Sequence, residues 1–366
     1  LGVSASGPLT LVFHLSSADD TFLSKLTLPG AMPCDEDFFN STRGTYGLTA
    51  ATTLSSGSFY LYNWTSGGLF LRRASSGNLI DSLRLVQNTN NAGRSAAELI
   101  ANEKCSAALD ETGTATSLNS IPYSDTTWSL LFNCNSVFSS RELRQALAAA
   151  ARQADALPDS GLYRAVSGLI PDGLTVDGIN YRDAAGDVSP AAVDAYALYL
   201  EARQSLSASD LSKVRLLVPS DSALLAIAEQ INGIWQKQFS LFLSVEEVDA
   251  DTFAKRLAEG DYTLALAPIS AESGSVYQTL SQFTATGGGL CSYTDSLFAT
   301  QLEASTHATG TARCRLLADC ERQLLNDAVV VPLFAQQKRL LIADGIQNLI
   351  FDPFGPVLDL TYAVKE

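Results

Sequence analysis

The sequence predicts an α/β protein of two or more domains, and three observations carry that reading. At 366 residues the chain exceeds the ~250–300 residues at which a single core stops growing, so two or more domains are expected. The stretch Thr126 to Leu157, TTWSLLFNCNSVFSSRELRQALAAAARQADAL, switches from a strand pattern to a helix pattern across a short loop. From Val214 onward, strands and helices alternate at the spacing of βαβ units, which gives a largely parallel sheet with right-handed crossovers.

In chain order, the β-branched and aromatic run Leu9 to Leu15 predicts a strand, closed by Asp19-Asp20. Phe22, Leu23 and Leu26 suit a short helix that Pro29-Gly30 stops. Trp128, Leu130, Leu131 and Phe132 supply the apolar bulk of a buried strand from Thr126 to Asn133. Ser139 with Glu142 has the form of a capping box, and Leu143, Ala146, Leu147, Ala150, Ala154 and Leu157 follow at helical steps. Ser160 to Val188, rich in Gly, Asp and Pro, reads as irregular chain. Ser189-Pro190 then opens a helix with Val193, Tyr196, Ala197 and Leu200 inward.

The second half continues with a strand at Val214 to Val218 and a helix at Ser222 to Gln238, its face formed by Leu225, Ala228, Ile231 and Trp235. Strands follow at Leu241 to Val248 and Tyr262 to Pro268, separated by a helix carrying Phe253 and Leu257. Thr284 to Gly289, TATGGG, lacks the Lys-Ser/Thr and helix start of a phosphate loop and reads as a flexible loop. Thr309 to Asn326 is a helix with Leu317, Cys320 and Leu324 on one face, followed by strands at Val329 to Phe334 and Leu358 to Val364.

Composition narrows the function. Hydrophobic residues at 46% and charged residues at 17% describe an ordinary globular protein, and a net charge of −15 argues against nucleic-acid binding. No run approaches the ~18–20 apolar residues of a membrane span. The start, LGVSASGPLTLVFHL, shows no signal-peptide pattern and is uninformative. The six cysteines have no zinc-site spacing and only His14 and His307 could join them, so no metal or other cofactor is expected. Cys314 and Cys320 turn away from each other on one helix, and the cysteines read as separate buried thiols.

The aromatic strand ending in Phe132-Asn133, followed by SSRELRQALAAA with Arg144, Gln145, Ala146 and Leu147, resembles the "yyl.fN … f.d.rvRqAl..aid" signature of the family 5 extracellular solute-binding proteins, the dipeptide and oligopeptide receptors of ABC importers. Ser55 to Trp64, with Gly57-Ser58 at the family's Gly-Pro, continues the match as a strand, followed by Leu69 to Arg73 and Leu79 to Gln87 and by a helix and turn over Ala96 to Asp110; Cys105-Ser106 near the usual Gly-Glu departs from it. The resemblance implies an α/β, periplasmic-binding-protein type II-like two-lobed fold, each lobe a mixed sheet flanked by helices, that closes over its ligand about a hinge. It divides the chain into 1–54, the remnant of a small extra domain and its return; 55–167, the first lobe; 168–344, the second lobe; and 345–366, the return to the first. A further N-terminal portion of the family has no counterpart here, so the chain reads as truncated, with one wall of the cleft missing.

In open α/β sheets ligands sit beyond the carboxyl ends of the strands, and Ile269-Ser270-Ala271-Glu272-Ser273-Gly274 follows YTLALAP. The resemblance puts Glu272 at the family's Asp that pairs with a peptide's α-amino group, with Ile269 where Trp is common; the alternative is a solvated loop glutamate. Thr126, Thr127 and Trp128 are expected to line the cleft, Trp128 being equally readable as core. The resemblance adds Tyr293, with Asp295 and Leu297, as pocket lining.

The implied function is capture of a peptide or similar small polar solute and its delivery to an ABC permease. The implied protein is an extracellular or periplasmic monomer, held to the membrane only by a lipid anchor outside this chain. Two other classes stay open. A surface protein could keep the receptor fold without solute capture. An extracellular hydrolase is poorly served: there is no G-x-S-x-G elbow, two histidines offer few triads, and the adjacent carboxylates Asp35-Glu36 and Glu246-Glu247 point apart in extended chain.

Overall fold

The computed structural model describes residues 2–16, 22–26, 29–75, 77, 79–87, 94–111, 119–153, 162–271, 273–354 and 358–366. It divides into a large unit, Leu1–Asp20 with Ser124–Gln337, and a small unit, Thr21–Tyr123 with Lys338–Glu366.

The chain starts with a hairpin, β1 (Gly2–Gly7) and β2 (Thr10–His14), then passes through α1 (Phe22–Lys25) and α2 (Glu36–Ser41) into β3 (Phe59–Thr65), β4 (Gly68–Arg73) and β5 (Ser82–Leu85). α3 (Ala96–Ala101), β6 (Ala107–Asp110) and β7 (Ser120–Tyr123) complete this pass through the small unit. The large unit continues with β8 (Thr126–Phe132), α4 (Arg141–Ala151), β9 (Tyr163–Ala165), β10 (Thr175–Val176), β11 (Ile179–Asn180), α5 (Tyr181–Ala185), α6 (Ala195–Ala202) and α7 (Ala208–Leu211). There follow β12 (Arg215–Pro219), α8 (Ser222–Phe239), β13 (Ser244–Val248), α9 (Ala250–Glu259), β14 (Leu264–Ser270), α10 (Val276–Ser281), α11 (Ser296–Ala304), α12 (Gly310–Asn326) and β15 (Val330–Gln336). The small unit closes with β16 (Lys338–Ile342) and the two-residue strands β17 (Ile346–Gln347), β18 (Ile350–Phe351), β19 (Leu358–Asp359) and β20 (Val364–Lys365).

The large unit is built on one six-stranded sheet in the order β13-β12-β14-β8-β15-β9. β12 pairs in parallel with β13 and β14, while β8 runs antiparallel to both β14 and β15. The sheet is therefore mixed, as a strand from an earlier pass inserted among βαβ units requires. Leu130 and Phe132 join Leu216, Val218, Leu264 and Leu266 in the main core, with Leu143, Leu147, Ile231 and Trp235 from α4 and α8 packed over them. Thr127, Ser129 and Leu131 on the opposite face are buried as well. A strand covered on both sides reads as a continuous apolar run, which is why this segment stood out.

The large unit resumes at Ser124, whereas the sequence reading places a lobe boundary at 167/168. β8 is hydrogen-bonded along its length to β14 and β15, so it and α4 belong with the later strands. The small unit resumes at Lys338.

Three local expectations also shift. α4 is capped by Ser140, whose Oγ accepts the Leu143 N–H at 3.1 Å, because Ser139 ends the preceding 3-10 turn. Residues 154 to 157 of the expected helix lie outside the described residues. The helix expected at Ser189-Pro190 starts at Ala195, where Asp194 caps it. Its buried residues are Tyr199 and Ala202, leaving Val193, Tyr196 and Leu200 exposed. The TATGGG segment is wound tightly: the Thr284 carbonyl accepts from Gly287 and Gly289, and Leu290 donates to Gln282. A Cβ on Gly287 would lie 2.0 Å from the Ser281 oxygen, so packing explains that glycine.

Two buried polar anchors hold the irregular parts. Glu321 on α12 is fully buried and accepts from Leu169 N at 2.7 Å, Ile170 N at 3.1 Å, Tyr181 Oη at 2.8 Å and Arg182 Nη2 at 2.5 Å. This single carboxylate fixes the Gly- and Pro-rich stretch after α4. Arg144 donates to Phe138 O, Ser139 O and Asp327 O, and Gln145 donates to Asn326 O. Two polar residues of the RQAL run thus satisfy carbonyls at the end of α12, which would otherwise be orphaned.

In the small unit β6-β16-β7 and β3-β4-β5 form separate three-stranded sheets. Ala96, Ile100 and Leu341 form a small core cluster there, and no residue of β3, β4 or β5 is buried. Arg73 ties the chain end to the second sheet by donating to Ile80 O, Leu360 O and Thr361 O. The expected final strand, 358–364, is broken by a turn into β19 and β20.

Candidate functional site

The strands β12, β13 and β14 end together in the large unit, and β8 begins beside the end of β14. Thr126 pairs with Ser270, Thr127 with Ile269 and Trp128 with Pro268. On its other side Thr127 pairs with Ala335 and Trp128 with Phe334. Thr126, Thr127, Trp128, Ile269 and Ser270 are thus brought together on neighbouring strands, at the end of the sheet where the chain leaves the large unit after Gln337 and enters it at Ser124.

Their exposures differ. Thr127 and Ile269 are 1% and 2% exposed, whereas Ser270 is exposed and Trp128 half-buried. Trp128 lies parallel to Phe334 at 6.3 Å between centroids, and Tyr163 meets Phe334 at 4.6 Å. Its indole N–H donates to Gln336 Oε1 at 3.4 Å. Its ring packs against the core while part of it stays accessible. Glu272 lies outside the described residues. Ala271 donates its N–H to Asp125 O at 2.8 Å.

Tyr293 is not with this group. Its hydroxyl donates to Asp327 Oδ2 at 2.7 Å and accepts from Gln323, and burial followed by Asp327 pushes its pKa well above the usual phenol range. Asp327 precedes β15, and Cys134, just past the end of β8, bonds to Cys291 beside Tyr293. Thr126 and Tyr293 therefore sit at opposite ends of a strand roughly 20 Å long at ~3.3 Å per residue. Asp295 caps α11, accepting the Phe298 N–H, and Leu297 is exposed.

The residues that sequence reasoning missed are acidic and lie along the strand ends. Asp125 is 5% exposed and its Oδ1 accepts the Thr126 hydroxyl at 2.8 Å. Asp221, just after β12, accepts from Ala223 N and Leu224 N at the start of α8. Asp249, just after β13, caps α9, and its bonds from Thr252 hold its pKa below the usual carboxylate range. Glu247 accepts from Ser220 Oγ. Asp221 and Asp249 each follow a strand, a signal present in the sequence as Ser-Asp or Val-Asp at the close of an apolar run. Helix N-termini favour these two there, and with Asp125 and Glu247 they give this end of the sheet an acidic rim.

The carboxylates weighed for catalysis are otherwise engaged. Glu246 pairs with Arg256 at 2.7 Å while Glu247 bonds Ser220, and Asp35 caps α2. Among the described residues no group of three His, Cys, Asp or Glu side chains is placed to hold a metal, and no helix is long and apolar enough to cross a membrane. A cavity of about 450 Å³ lies behind the sheet, lined by Ile227, Ile231, Phe334 and Val166.

No protein-family model matches the chain, and no curated protein matches it. Solved structures do. The substrate-binding domain of an oligopeptide ABC transporter from Bacillus anthracis is 19% identical with a TM-score of 0.72. OppA of Listeria monocytogenes bound to peptide is 19% identical at 0.69, and a dipeptide-binding protein from a Pseudoalteromonas species in complex with Met-Leu is 12% identical at 0.72. The chain has their fold. Each match covers 100% of this chain and 75% of the other, so the two-lobed α/β class expected from the sequence extends through every part of it.

Proposed function

We propose that this chain is a solute-binding protein that captures a peptide or similar small polar ligand between two lobes and delivers it to an ABC-type membrane permease. The observation that carries the reading is the acidic rim at the strand ends of the large unit, on a fold shared over the whole chain with structures described as peptide-binding. A peptide's α-ammonium would meet Glu272 and the partly desolvated surroundings of Ser270 and Thr126, where a charge-assisted hydrogen bond is strong. Trp128 would offer its accessible edge to a side chain. Thr127 and Ile269, both buried, would shape this floor without touching ligand. Main-chain contacts would leave side-chain selectivity loose, and closure would follow as a population shift about the crossings at 123/124 and 337/338. We place the protein outside the cytoplasm as a monomer, anchored by lipid through a segment outside this chain.

The test is a thermal-shift screen of this chain and of a chain extended at its N-terminus against pooled di- to octapeptides, sugars and nickel. A ligand at a hundred times its Kd stabilises by about 2.7 kcal/mol. Peptides that stabilise the protein, with the effect lost in Glu272→Gln and in N-acetylated peptides, support both the reading and its anchor. Cooperative melting with no response to any pool sinks it in favour of a receptor fold without solute capture.

A further inference from the structure

Six cysteines are free in this structure, three of them buried. Cys134 and Cys291 differ from the rest in being neighbours across the end of the main sheet. The Cys134 N–H donates to the Cys291 carbonyl at 2.7 Å. With the covalent spans from N and O back to each Cα, that bond holds the two Cα atoms within about 6.6 Å, inside the ~4.4–6.8 Å range over which disulfides form. The sulfurs also converge on one rung of the sheet. Cys134 Sγ lies 3.6 Å from Phe132 O and Cys291 Sγ 3.6 Å from Val329 O, and Phe132 N donates to Val329 O at 3.1 Å.

We propose that Cys134 and Cys291 form a disulfide when the protein meets a small-molecule disulfide such as glutathione disulfide, fastening the 284–293 turn to the end of β8. The pair suits a stepwise exchange, since Cys134 is half-buried and Cys291 is 1% exposed. Cys134 thiolate attacks one glutathione sulfur, forming a mixed disulfide and releasing one glutathione. Cys291 then gives up its proton and displaces the second glutathione from Cys134. One S–S bond is broken and one formed, and the two electrons and two protons leave with two glutathione thiols. Burial raises the pKa of both thiols, and Tyr262, whose hydroxyl contacts Cys291 Sγ at 3.7 Å, works against that rise at Cys291. Exchange is therefore slow at neutral pH and accelerates as pH rises. Cys291 stands at φ 62° in a turn that also holds Gly289 and Ser292 at positive φ, a conformation the cross-link would retain.

The experiment incubates the full chain with excess glutathione disulfide at mildly alkaline pH, then digests it without reduction for peptide mass mapping. The expected product is a linked pair of peptides carrying Cys134 and Cys291, two thiols fewer per chain in denaturant, and a melting temperature raised by several degrees. Cys291→Ser should stop at glutathionylated Cys134 with no rise in melting temperature. Recovery of Cys134 from the parent chain as free thiol, as a stable glutathione adduct or linked to any other cysteine overturns the proposal.

Discussion

Replacing Glu321 should loosen one defined part of the large unit. Its carboxylate is fully buried and holds two backbone N–H groups, the Tyr181 hydroxyl and the Arg182 guanidinium, which is itself only 17% exposed. Breaking a buried pair by removing one partner costs ~3–5 kcal/mol, and charge-assisted bonds are worth ~1.5–3 kcal/mol each. Glu321→Gln keeps the shape and one acceptor oxygen, so its cost is about 2–3 kcal/mol; Glu321→Ala also leaves a cavity and should cost about 4 kcal/mol. Urea unfolding followed by tryptophan fluorescence reads the large unit through Trp128 and Trp235, with Trp64 replaced by Phe to silence the small unit. Amide exchange gives the local reading, because the Leu169 and Ile170 N–H groups lose their acceptor. A Glu321→Gln protein within about 0.5 kcal/mol of the parent, with both amides still protected, would refute the assignment of this carboxylate as the anchor of the 167–186 segment.

Other substitutions follow from the same packing. Gly287→Ala drives a Cβ into the Ser281 carbonyl and should cost about 2 kcal/mol or more, seen as a lower urea midpoint; an unchanged midpoint would show the turn can relax. Gly168→Ala places a Cβ 2.6 to 2.8 Å from the Arg182 guanidinium; it should weaken the Glu321 pair and lose most of its effect in an Arg182→Ala background. Arg73→Met removes three bonds to backbone carbonyls in the small unit and should make the chain after Leu358 sensitive to limited proteolysis while the large unit melts as before. The pKa values of Tyr181, Tyr262 and Tyr293 are raised, first by burial. The folded state thus holds phenol protons that the unfolded chain releases near pH 10, so stability should be level from pH 7 to about pH 9 and fall above about pH 10; a flat profile through pH 11 would contradict it.

The strand β8 and helix α4 were legible because both faces of the strand and one face of the helix are paid for in local sequence: an apolar run, a serine cap and steps of three and four. The alternation from β12 to β15 was legible for the same reason. Glu321 was not, since its four donors come from a segment some 140 to 150 residues away and nothing near it marks a buried charge. Arg144 and Gln145 were noticed through a resemblance, and only the structure gives their physical reason, the carbonyls at the end of α12. The rim acids Asp221 and Asp249 were readable as helix caps, but their common edge emerges from strand order. The outward turn of Tyr196 and Leu200 went unseen because α6 is apolar nearly all round, leaving periodicity little to choose between.

The small unit is assembled from chain segments that precede and follow the Ser124–Gln337 part of the large one, and Arg73 reaches carbonyls at 360 and 361. A ribosome emits the first of these segments long before the second. The β3-β4-β5 sheet must therefore wait, without a buried residue of its own, until the last turn of the chain has been made. During that interval the large unit can complete its six strands as soon as Gln336 is free. The order of synthesis thus favours one folded body trailing an unfinished one, and a chain interrupted after residue 337 would keep the first and lose the second.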